Sequence, residues 1–357
     1  AFRTRRNWTS PHSRGLRGRL SDEAQHGLYV HPTLVVTPQG LALGGVDAGM
    51  WTRKPKGEVA VKESVRWVEG YEIVADLAEQ TPETRLVYVA DREGDLRALM
   101  DASARRGHPA DWLVRATHNR NTAAGEKVWH RVEQTQALGE VEFTLPATPG
   151  RPARPVRQTL YRDTVTLPAR KGAPAVTVTA ILAREERPPA GEQAIVWRLS
   201  TNRPAETLET VVELIDWYRR RWLVEIFFRI LKSGCRVESL QLGTLERLER
   251  ALVIYLVIAW RILHLVPRGR ECPDLSCEVV FDPEEWQAAW IVARRTKPPD
   301  TPPPLGHMTR LIAGFGGFLG RKGDGPPGPK AIWEGMQKVY AFAFGIAAAK
   351  QAFIPSG

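Results

Sequence analysis

The part of the sequence best suited to chemistry is an acidic residue surrounded by basic ones. The stretch YRRRWLVEIFFRILKSG contains, at spacings of three, four and seven residues, Tyr218, Arg221, Glu225 and Lys232. At about 3.6 residues per turn, these four side chains would share one face of a helix. A carboxylate there can bind a hard cation such as Mg²⁺, and Arg and Lys can bind phosphate oxygens beside it. The alternative is a solvated face with ordinary intrahelical ion pairs.

A second carboxylate, Asp91, follows the apolar run LVYVA and begins the polar stretch DREGD. This pattern predicts a buried strand that ends at Asp91, then a turn and a helix. Open α/β sheets bind ligands at the carboxyl edge of their strands, so the position favours a binding role. Asp is also a common helix N-cap, and capping is the alternative interpretation of these residues.

The composition is that of a large, basic chain. It has 357 residues, of which 43% are hydrophobic, and its net charge of +10 predicts a polyanionic partner, with nucleic acid as the first candidate. A basic enzyme without such a partner is the alternative. Three cysteines are too few for a disulfide framework, so we expect a reducing compartment. The apolar run 251–260 is too short to span a membrane, and we interpret it as a buried core helix.

The hydrophobic pattern also predicts the elements that must position these residues. Residues 27–51 predict two strands joined by a Pro-Gln-Gly turn, and residues 58–80 predict a helix. Residues 111–202 alternate in a β-like way between Pro and Gly residues, which indicates an antiparallel insertion. Helical periodicity then covers residues 206–266, and KPPDTPPP at 297–304 is typical of a stiff linker before a small helical tail.

These motifs, in this order, resemble those of the IS4-family (Tn5-like) DDE transposases over nearly the whole chain. The spacing Y-x2-R-x3-E-x6-K followed by SG is similar to the family's YREK signature. VADREGDL resembles its second-Asp strand and turn, and IVWRLSTNRP resembles the strand that leads to the signature helix. LERLERALVIYLVIAWRILHL and GGFLGRKGDGPPGPKAIWEGMQKV are similar to the next helix and to the C-terminal segment.

The resemblance implies an α/β fold with an RNase H-like (retroviral integrase-like) core, an antiparallel β insertion and a helical C-terminal region. We accordingly expect an aberrant segment at 1–20 and a catalytic core at 21–296, with the insertion at about 120–200. A Pro-rich linker at 297–304 and a helical dimerisation domain at 305–357 would follow.

The resemblance further implies metal-dependent DNA strand cleavage and transfer at transposon ends. Carried over by position, Asp91 and Glu225 are the second and third acidic ligands of a two-metal site for Mg²⁺ or Mn²⁺. Three residues would contact the phosphates of the transposon end: Tyr218, Arg221 and Lys232.

Two further positions match the family outside its signature helix. Trp197 matches an aromatic residue of the insertion that stacks on a flipped base, although a Trp in the sheet core is the alternative. Arg115 matches a basic residue at a strand end near the metal site. The implied partners are double-stranded DNA, as transposon ends and target, and a second copy of the chain in a synaptic homodimer. No membrane partner is expected, and the location would be the bacterial cytoplasm, associated with the nucleoid.

The family's first Asp has no counterpart in its expected place. That place holds AFRTRRNWTSPHSRG, which contains no acid. One nucleotide string encodes FRTRRNWTSPHSR in one frame and VQDTTELDFTSQPG in another, so we interpret residues 2–15 as an out-of-frame translation. The expected consequence is loss of the first Asp, of its strand and of the N-terminal end-binding region. Asp22, Glu23 and Asp47 are not expected to substitute, because their contexts do not predict a strand end.

Two other functions stay open on the sequence. The chain could be a catalytically dead DNA-binding remnant that acts only by occupying ends or by pairing with an intact subunit. It could also be a host RNase H-like nuclease unrelated to mobile elements, although the YREK spacing and the GGFLGRKGDG segment argue against this. We predict that the chain as given does not catalyse DNA strand cleavage.

Overall fold

The computed structural model describes residues 2–3, 6–9, 27–52, 62–145 and 152–353. The described chain is a mixed α/β protein that divides into two compact units. The first contains Tyr29–Gly40 and Gly45–Val224, and the second contains Leu41–Gly44 and the residues from Glu225 onward. The mixed α/β class with a helical C-terminal region agrees with the sequence prediction.

The first unit is built on a mixed β-sheet. The strands of the described chain are β1 (Phe2–Arg3), β2 (Arg6–Thr9), β3 (Gly27–Val36), β4 (Ala42–Trp51), β5 (Val87–Ala90), β6 (Asp111–Arg115), β7 (Gly139–Leu145), β8 (Arg154–Leu167), β9 (Val176–Glu185) and β10 (Val196–Thr201). The order across the first unit is β3-β1-β5-β6-β10-β9-β8-β7, and β4 pairs with β3. β5 is parallel to β1 and to β6, whereas β1 with β3, β6 with β10, and the pairs from β10 to β7 are antiparallel.

Helices cover the sheet and form the C-terminal region. They are α1 (Val65–Gln80), α2 (Arg97–Arg105), α3 (Val128–Glu133), α4 (Leu208–Arg220), α5 (Trp222–Arg229), α6 (Leu245–Glu271), α7 (Pro283–Arg294), α8 (Leu305–Phe315) and α9 (Pro329–Phe353). A 3₁₀ turn at Arg92–Gly94 follows β5, and a π-helical turn at Ile230–Gly234 follows α5. The start of α4 is fixed by a capping box between Thr207 and Thr210.

Large aromatic side chains fill the core of the first unit. Tyr71 of α1, Tyr88 of β5 and Trp112 of β6 are fully buried, and the Tyr71 hydroxyl donates a hydrogen bond to the Ala110 carbonyl at 2.9 Å. A Cβ atom added at Gly94 would lie 2.4 Å from Ala90 Cβ. The turn after β5 therefore approaches the strand so closely that only glycine fits there.

The second unit packs α7, α8 and α9 around their own apolar core. Trp286, Met308 and Ile332 are buried in it. Gly335 of α9 lies against the backbone of α8, because an added Cβ would be 1.9 Å from the Ile312 carbonyl oxygen. Because glycine has no Cβ atom, α8 and α9 can approach each other closely at this position.

Most predicted elements are confirmed. The hairpin, the strand–turn–helix around Asp91, the β-rich region 111–202 and the helical tail are all present. The short helix α3 inside the β-rich region was missed. The expected loss of the strand in residues 2–15 is wrong, because Phe2–Arg3 and Arg6–Thr9 are strands and Phe2–Arg3 pairs with β5. Helix α1 begins at Val65, later than predicted, although residues 53–61 lie outside the described part of the chain.

The interpretation of residues 251–260 as a buried core helix is wrong. They are helical, but Val253, Ile254 and Val257 of α6 are each more than half exposed. Within the second unit only one face of α6 is buried, and apolar composition alone does not tell a one-sided helix from a fully buried one. Among the described residues α6 is also the one helix long and apolar enough to cross a membrane, which is weak support for such a span.

Candidate functional site

Two predicted site residues lie side by side at the carboxyl edge of the sheet. β5 and β6 are parallel, with Ala90 paired to Val114. Asp91 and Arg115, the next residue on each strand, are therefore neighbours at the point where both strands end. Arg115 is also paired with Leu199 of the antiparallel β10. Strand register, rather than loop conformation, thus positions these two side chains.

Asp91 caps the 3₁₀ turn that follows β5. Its Oδ1 atom accepts a hydrogen bond from the Glu93 backbone N–H at 2.9 Å, with Asp91 in an extended conformation. The capping interpretation is therefore correct as far as it goes. It does not exclude a ligand role, because a carboxylate has two oxygens and about four acceptor sites. Half-buried oxygen donors at a strand end fit a hard divalent cation.

Tyr218 connects this edge to α4. Burial raises the pKa of the Tyr218 phenol, and the nearby charge of Asp91 acts in the same direction. The guanidinium groups of Arg221 and Arg115 act in the opposite direction, and Arg115 also donates a hydrogen bond to the phenol oxygen. Asp91, Arg115 and Arg221 all influence the Tyr218 phenol, so these four residues form one cluster.

Trp197 extends this cluster into the β insertion. Its ring lies edge-on to Tyr218, with centroids 6.1 Å apart, and stacks on Phe143 of β7 at 6.0 Å. The guanidinium of Arg219 lies 5.2 Å from the Phe143 centroid. Trp197 is half-buried, so its position is neither that of a full core residue nor that of a free surface residue. The sequence did not indicate that Phe143 packs on Trp197, because a single aromatic residue in a β-like pattern usually indicates a position in the hydrophobic core.

The sequence predicted that the four signature residues lie on one regular helix. That prediction is wrong, because the helix is not uniform along this segment. Around Arg221 the hydrogen bonds tighten to three-residue spacing, from Arg221 N–H to Tyr218 and from Val224 N–H to Arg221. Further on, the Cys235 N–H bonds to the Ile230 carbonyl five residues back, which closes the π turn. A tight turn followed by a wide one shifts the side chains around the axis, so ideal spacing does not fix a common face.

The predicted site residues fall in both units. The first unit holds Asp91, Arg115, Trp197, Tyr218 and Arg221, and the second holds Glu225 and Lys232. Glu225 lies half-buried in α5. The Lys232 ammonium lies in the π turn, 2.6 Å from Glu238 Oε1, so a phosphate would compete with an existing ion pair.

The arginine run before Glu225 is partly satisfied by local contacts. Arg219 pairs with Asp216 one turn earlier at 2.9 Å, which is the intrahelical pairing that the alternative interpretation expects. Arg220 donates to the Pro38 carbonyl at 3.1 Å. Trp222, by contrast, is 58% exposed between Arg221 and the rest of α5. An exposed Trp beside basic residues is suited to stacking on a base, a feature that the apolar pattern of this segment does not reveal.

A buried carboxylate ties the loop after β5 to the loop after β6. Asp95 is fully buried and accepts hydrogen bonds from the backbone N–H groups of Thr117 at 2.7 Å and His118 at 2.9 Å. Arg120 donates to Asp95 Oδ1 at 2.5 Å and to the Asp95 carbonyl at 2.7 Å. Burial alone would raise the pKa of Asp95, but the Arg120 charge and these N–H donors hold it below its ordinary value. The sequence shows that residue 95 is an acid, but it does not reveal that Thr117, His118 and Arg120 are its partners.

Among residues 27–52, 62–145 and 152–353, the side chains form no cluster of three or more His, Cys, Asp or Glu residues able to hold a metal. Asp91 in the first unit and Glu225 in the second are the carboxylates that the family resemblance assigns to metal. The donor set is hard oxygen only, which suits Mg²⁺ or Mn²⁺ and not a thiolate metal.

Comparison with protein families identifies the class. Residues 68–261 match the family described as the transposase DDE domain, which covers more than half of the chain. The chain therefore belongs to the DDE transposases, enzymes that as a family depend on divalent metal ions. Residues 257–354 match the transposase Tn5 dimerisation domain. The two matches together make it a Tn5-like DDE transposase of the IS4 family, which confirms the resemblance seen in the sequence.

Among solved structures, another transposase resembles the chain distantly. The cryo-EM structure of the piggyBac transposase synaptic complex with hairpin DNA (SNHP) is 9% identical to this chain, with a TM-score of 0.40. The alignment covers 99% of this chain and 54% of that chain, so the chain spans about half the length of the relative. A likeness at this level carries no argument about the site.

Proposed function

We propose that this chain is the transposase of an IS4-family insertion sequence, which acts on double-stranded transposon ends and on target DNA. The observation that carries the proposal is the cluster of Asp91, Arg115, Tyr218 and Arg221 at the carboxyl edge of β5 and β6. A carboxylate beside two guanidinium groups can serve a cation and a phosphate at the same place.

The core of the first unit is proposed to be RNase H-like. The strand order β4-β3-β1-β5-β6, with β1, β5 and β6 parallel and β3 antiparallel to β1, supports this assignment. Helix α1 lies between β4 and β5 in the chain, and β7 to β9 form the antiparallel insertion before α4. The proposed domain boundaries are those predicted from the sequence: a catalytic core at 21–296, a Pro-rich linker at 297–304 and a helical dimerisation domain at 305–357.

Each site residue has a proposed role in phosphoryl transfer. Asp91 and Glu225 would hold two divalent ions, which when bound activate a water or a 3′-hydroxyl and stabilise the leaving oxygen. Arg115 orients the Tyr218 hydroxyl by its hydrogen bond, and Arg221 offers a bidentate fork to a phosphate.

Contacts outside the reaction centre would hold the DNA. Lys232 would exchange its Glu238 partner for a phosphate oxygen, and Trp197 would offer a ring face to an unstacked base. The exposed Trp222 is a second stacking candidate. We further propose a homodimer in a synaptic complex, formed through the C-terminal helices, and a location in the bacterial cytoplasm with the nucleoid.

The chain as given is proposed to be inactive because the first acid is missing. β1 is parallel to β5, with Arg3 paired to Ala90. The next residue in the sequence is Thr4, where the alternative reading frame has an Asp. Thr4, Asp22 and Glu23 lie outside the described residues, whereas Asp47 lies within β4 rather than at a strand end. A DNA-binding remnant that acts by end occupancy or subunit pairing is the alternative function.

Two measurements test this proposal. A Mn²⁺-dependent cleavage assay on DNA that flanks the gene should show no strand cleavage by the chain as given. Cleavage above a protein-free control would refute the inactivity. The nucleotide sequence of the gene should contain an overlapping QDTTELDF reading next to residues 2–15, and a single continuous frame without it would refute the frameshift.

A further inference from the structure

A basic pocket lies further along the same loops as the candidate site. It encloses about 420 Å³ within the first unit. Its walls come from the start of α1, the start of α2, the loop after β6 and the turn between β8 and β9. The lining residues are Ser64, Val65, Val68, Asp95, Leu96, Arg97, Ala98, His118, Arg120 and Arg170. Asp95 of this wall is four residues after Asp91 in the chain.

Two of the three arginines that line the pocket are paired with carboxylates. Arg97 pairs with Asp101 at 2.7 Å, and Arg120 pairs with the fully buried Asp95 at 2.5 Å. Arg170 is exposed, and among the described residues its side chain has no hydrogen-bond or ion-pair partner. Three guanidinium groups against two carboxylates leave net positive charge, so the pocket attracts an anion.

The arginine pairs do not exhaust the donors of their guanidinium groups. Each guanidinium has five N–H donors. Arg97 uses Nε for Asp101 and Nη2 for the Pro174 carbonyl. In Arg120, each of the two terminal nitrogens donates one hydrogen bond to Asp95. Because the buried acids hold both forks in place, the remaining donors are presented to a ligand without further ordering.

His118 adds an oriented imidazole to the rim. Its Nδ1 atom lies 3.1 Å from Asp95 Oδ2, and its side chain is 63% exposed. The buried carboxylate fixes the ring through Nδ1, which leaves Nε2 to face a ligand. When protonated, the ring can donate from Nε2 to a phosphate oxygen.

We propose that this pocket binds a phosphate group of the DNA backbone, as a subsite separate from the cluster around Asp91. The assignment depends on the proposed function for its source of phosphate, whereas the anion-binding chemistry follows from the pocket itself. Arg170 contributes the uncompensated charge, and Arg97, Arg120 and His118 contribute oriented donors. A phosphate bound here would give the DNA strand a second point of attachment, in addition to the cluster around Asp91.

The first experiment compares Arg170→Ala with Lys171→Ala. Both residues are exposed and adjacent, and both variants lose one positive charge, but only Arg170 lines the pocket. The affinity for a 30-base-pair duplex is measured between about 50 and 200 mM salt. We expect the salt slope to fall by about 0.9 in Arg170→Ala and to stay unchanged in Lys171→Ala. Equal slopes in the two variants would overturn the DNA assignment.

The second experiment separates DNA phosphate from free phosphate. Inorganic phosphate is titrated into the whole chain while the His118 ring signal, identified with His118→Gln, is followed by NMR. We expect a saturable shift in the unmodified chain and in Lys171→Ala, and its loss in Arg170→Ala. A shift without any effect of Arg170 on the DNA salt slope would make this a site for free phosphate and overturn the DNA role.

The two experiments also distinguish this inference from the proposed function. If the unmodified chain does not bind DNA but the phosphate shift persists, the proposed function and the DNA source fail while the anion pocket stands. If DNA binds but phosphate causes no shift and the slopes are equal, the pocket is overturned and the proposed function stands.

Discussion

The sheet edge around Asp91 and the helical segment around Glu225 hold their candidate residues by different means. Asp91 and Arg115 are fixed by strand register, and their loops are tied together by the fully buried Asp95. The segment with Glu225 and Lys232 passes from a tight turn to a π turn, and its lysine has a partly exposed partner. The first region is preorganised, whereas the second can exchange partners when a ligand binds.

The largest effect expected from this comparison is that of Asp95→Ala. The change leaves the Arg120 charge and two backbone N–H groups without their carboxylate, and we expect a loss of about 3 kcal/mol in the free energy of unfolding. Urea denaturation measures it. Asp216→Ala removes the exposed partner of Arg219 and should cost below about 1 kcal/mol. Similar losses in the two variants would contradict the difference between a buried network and a surface pair.

Gly94→Ala tests whether the turn after β5 is as rigid as its packing implies. The new Cβ would lie 2.4 Å from Ala90 Cβ, so we expect a loss of about 2 kcal/mol in the free energy of unfolding. Gly314→Ala in α8 is the matched control, because no atom lies within 4 Å of its added Cβ. That change should be neutral or stabilise the chain by up to about 1 kcal/mol. A tolerated Gly94→Ala would mean that the turn relaxes freely.

The pH dependence of stability should identify Asp95. Its folded-state pKa lies below the ordinary value, so the unfolded chain binds the proton more readily. The stabilisation is present above about pH 4, near the unfolded pKa, and is lost as pH falls through the lower folded pKa. Unfolding free energies at successive pH values should therefore show a smaller acid-side loss in Asp95→Asn. Parallel pH profiles for both proteins would refute this role.

Lys232→Ala should have the smallest effect on stability and a specific effect on DNA binding. Its ion pair with Glu238 is about a third exposed on both sides, so we expect a loss below about 1 kcal/mol. The salt slope of DNA binding should fall by about 0.9, because one phosphate contact is lost. Glu238→Gln is the control, since it frees Lys232 and should not reduce the slope. An unchanged slope in Lys232→Ala would remove this residue from the DNA contacts.

The sequence predicted the strand edge better than the helical segment, for physical reasons. A short apolar run that ends in Asp91 predicts a strand that ends at this residue. The carboxyl ends of neighbouring parallel strands lie at the same edge of a sheet. The partners of Asp95 come from a loop more than twenty residues later, which no local pattern reveals. Likewise, the π turn and the exposed face of α6 depend on tertiary packing that periodicity does not record.

The most direct test of the central claim is strand cleavage by a repaired chain. Residues 2–15 are replaced with VQDTTELDFTSQPG, and Mn²⁺-dependent cleavage is measured on DNA that carries the sequences flanking the gene. We predict that the repaired chain cleaves, and that Asp91→Asn or Glu225→Ala in it abolishes cleavage while leaving DNA affinity largely intact. Cleavage that survives either substitution would contradict the assignment of these two carboxylates to the metal site.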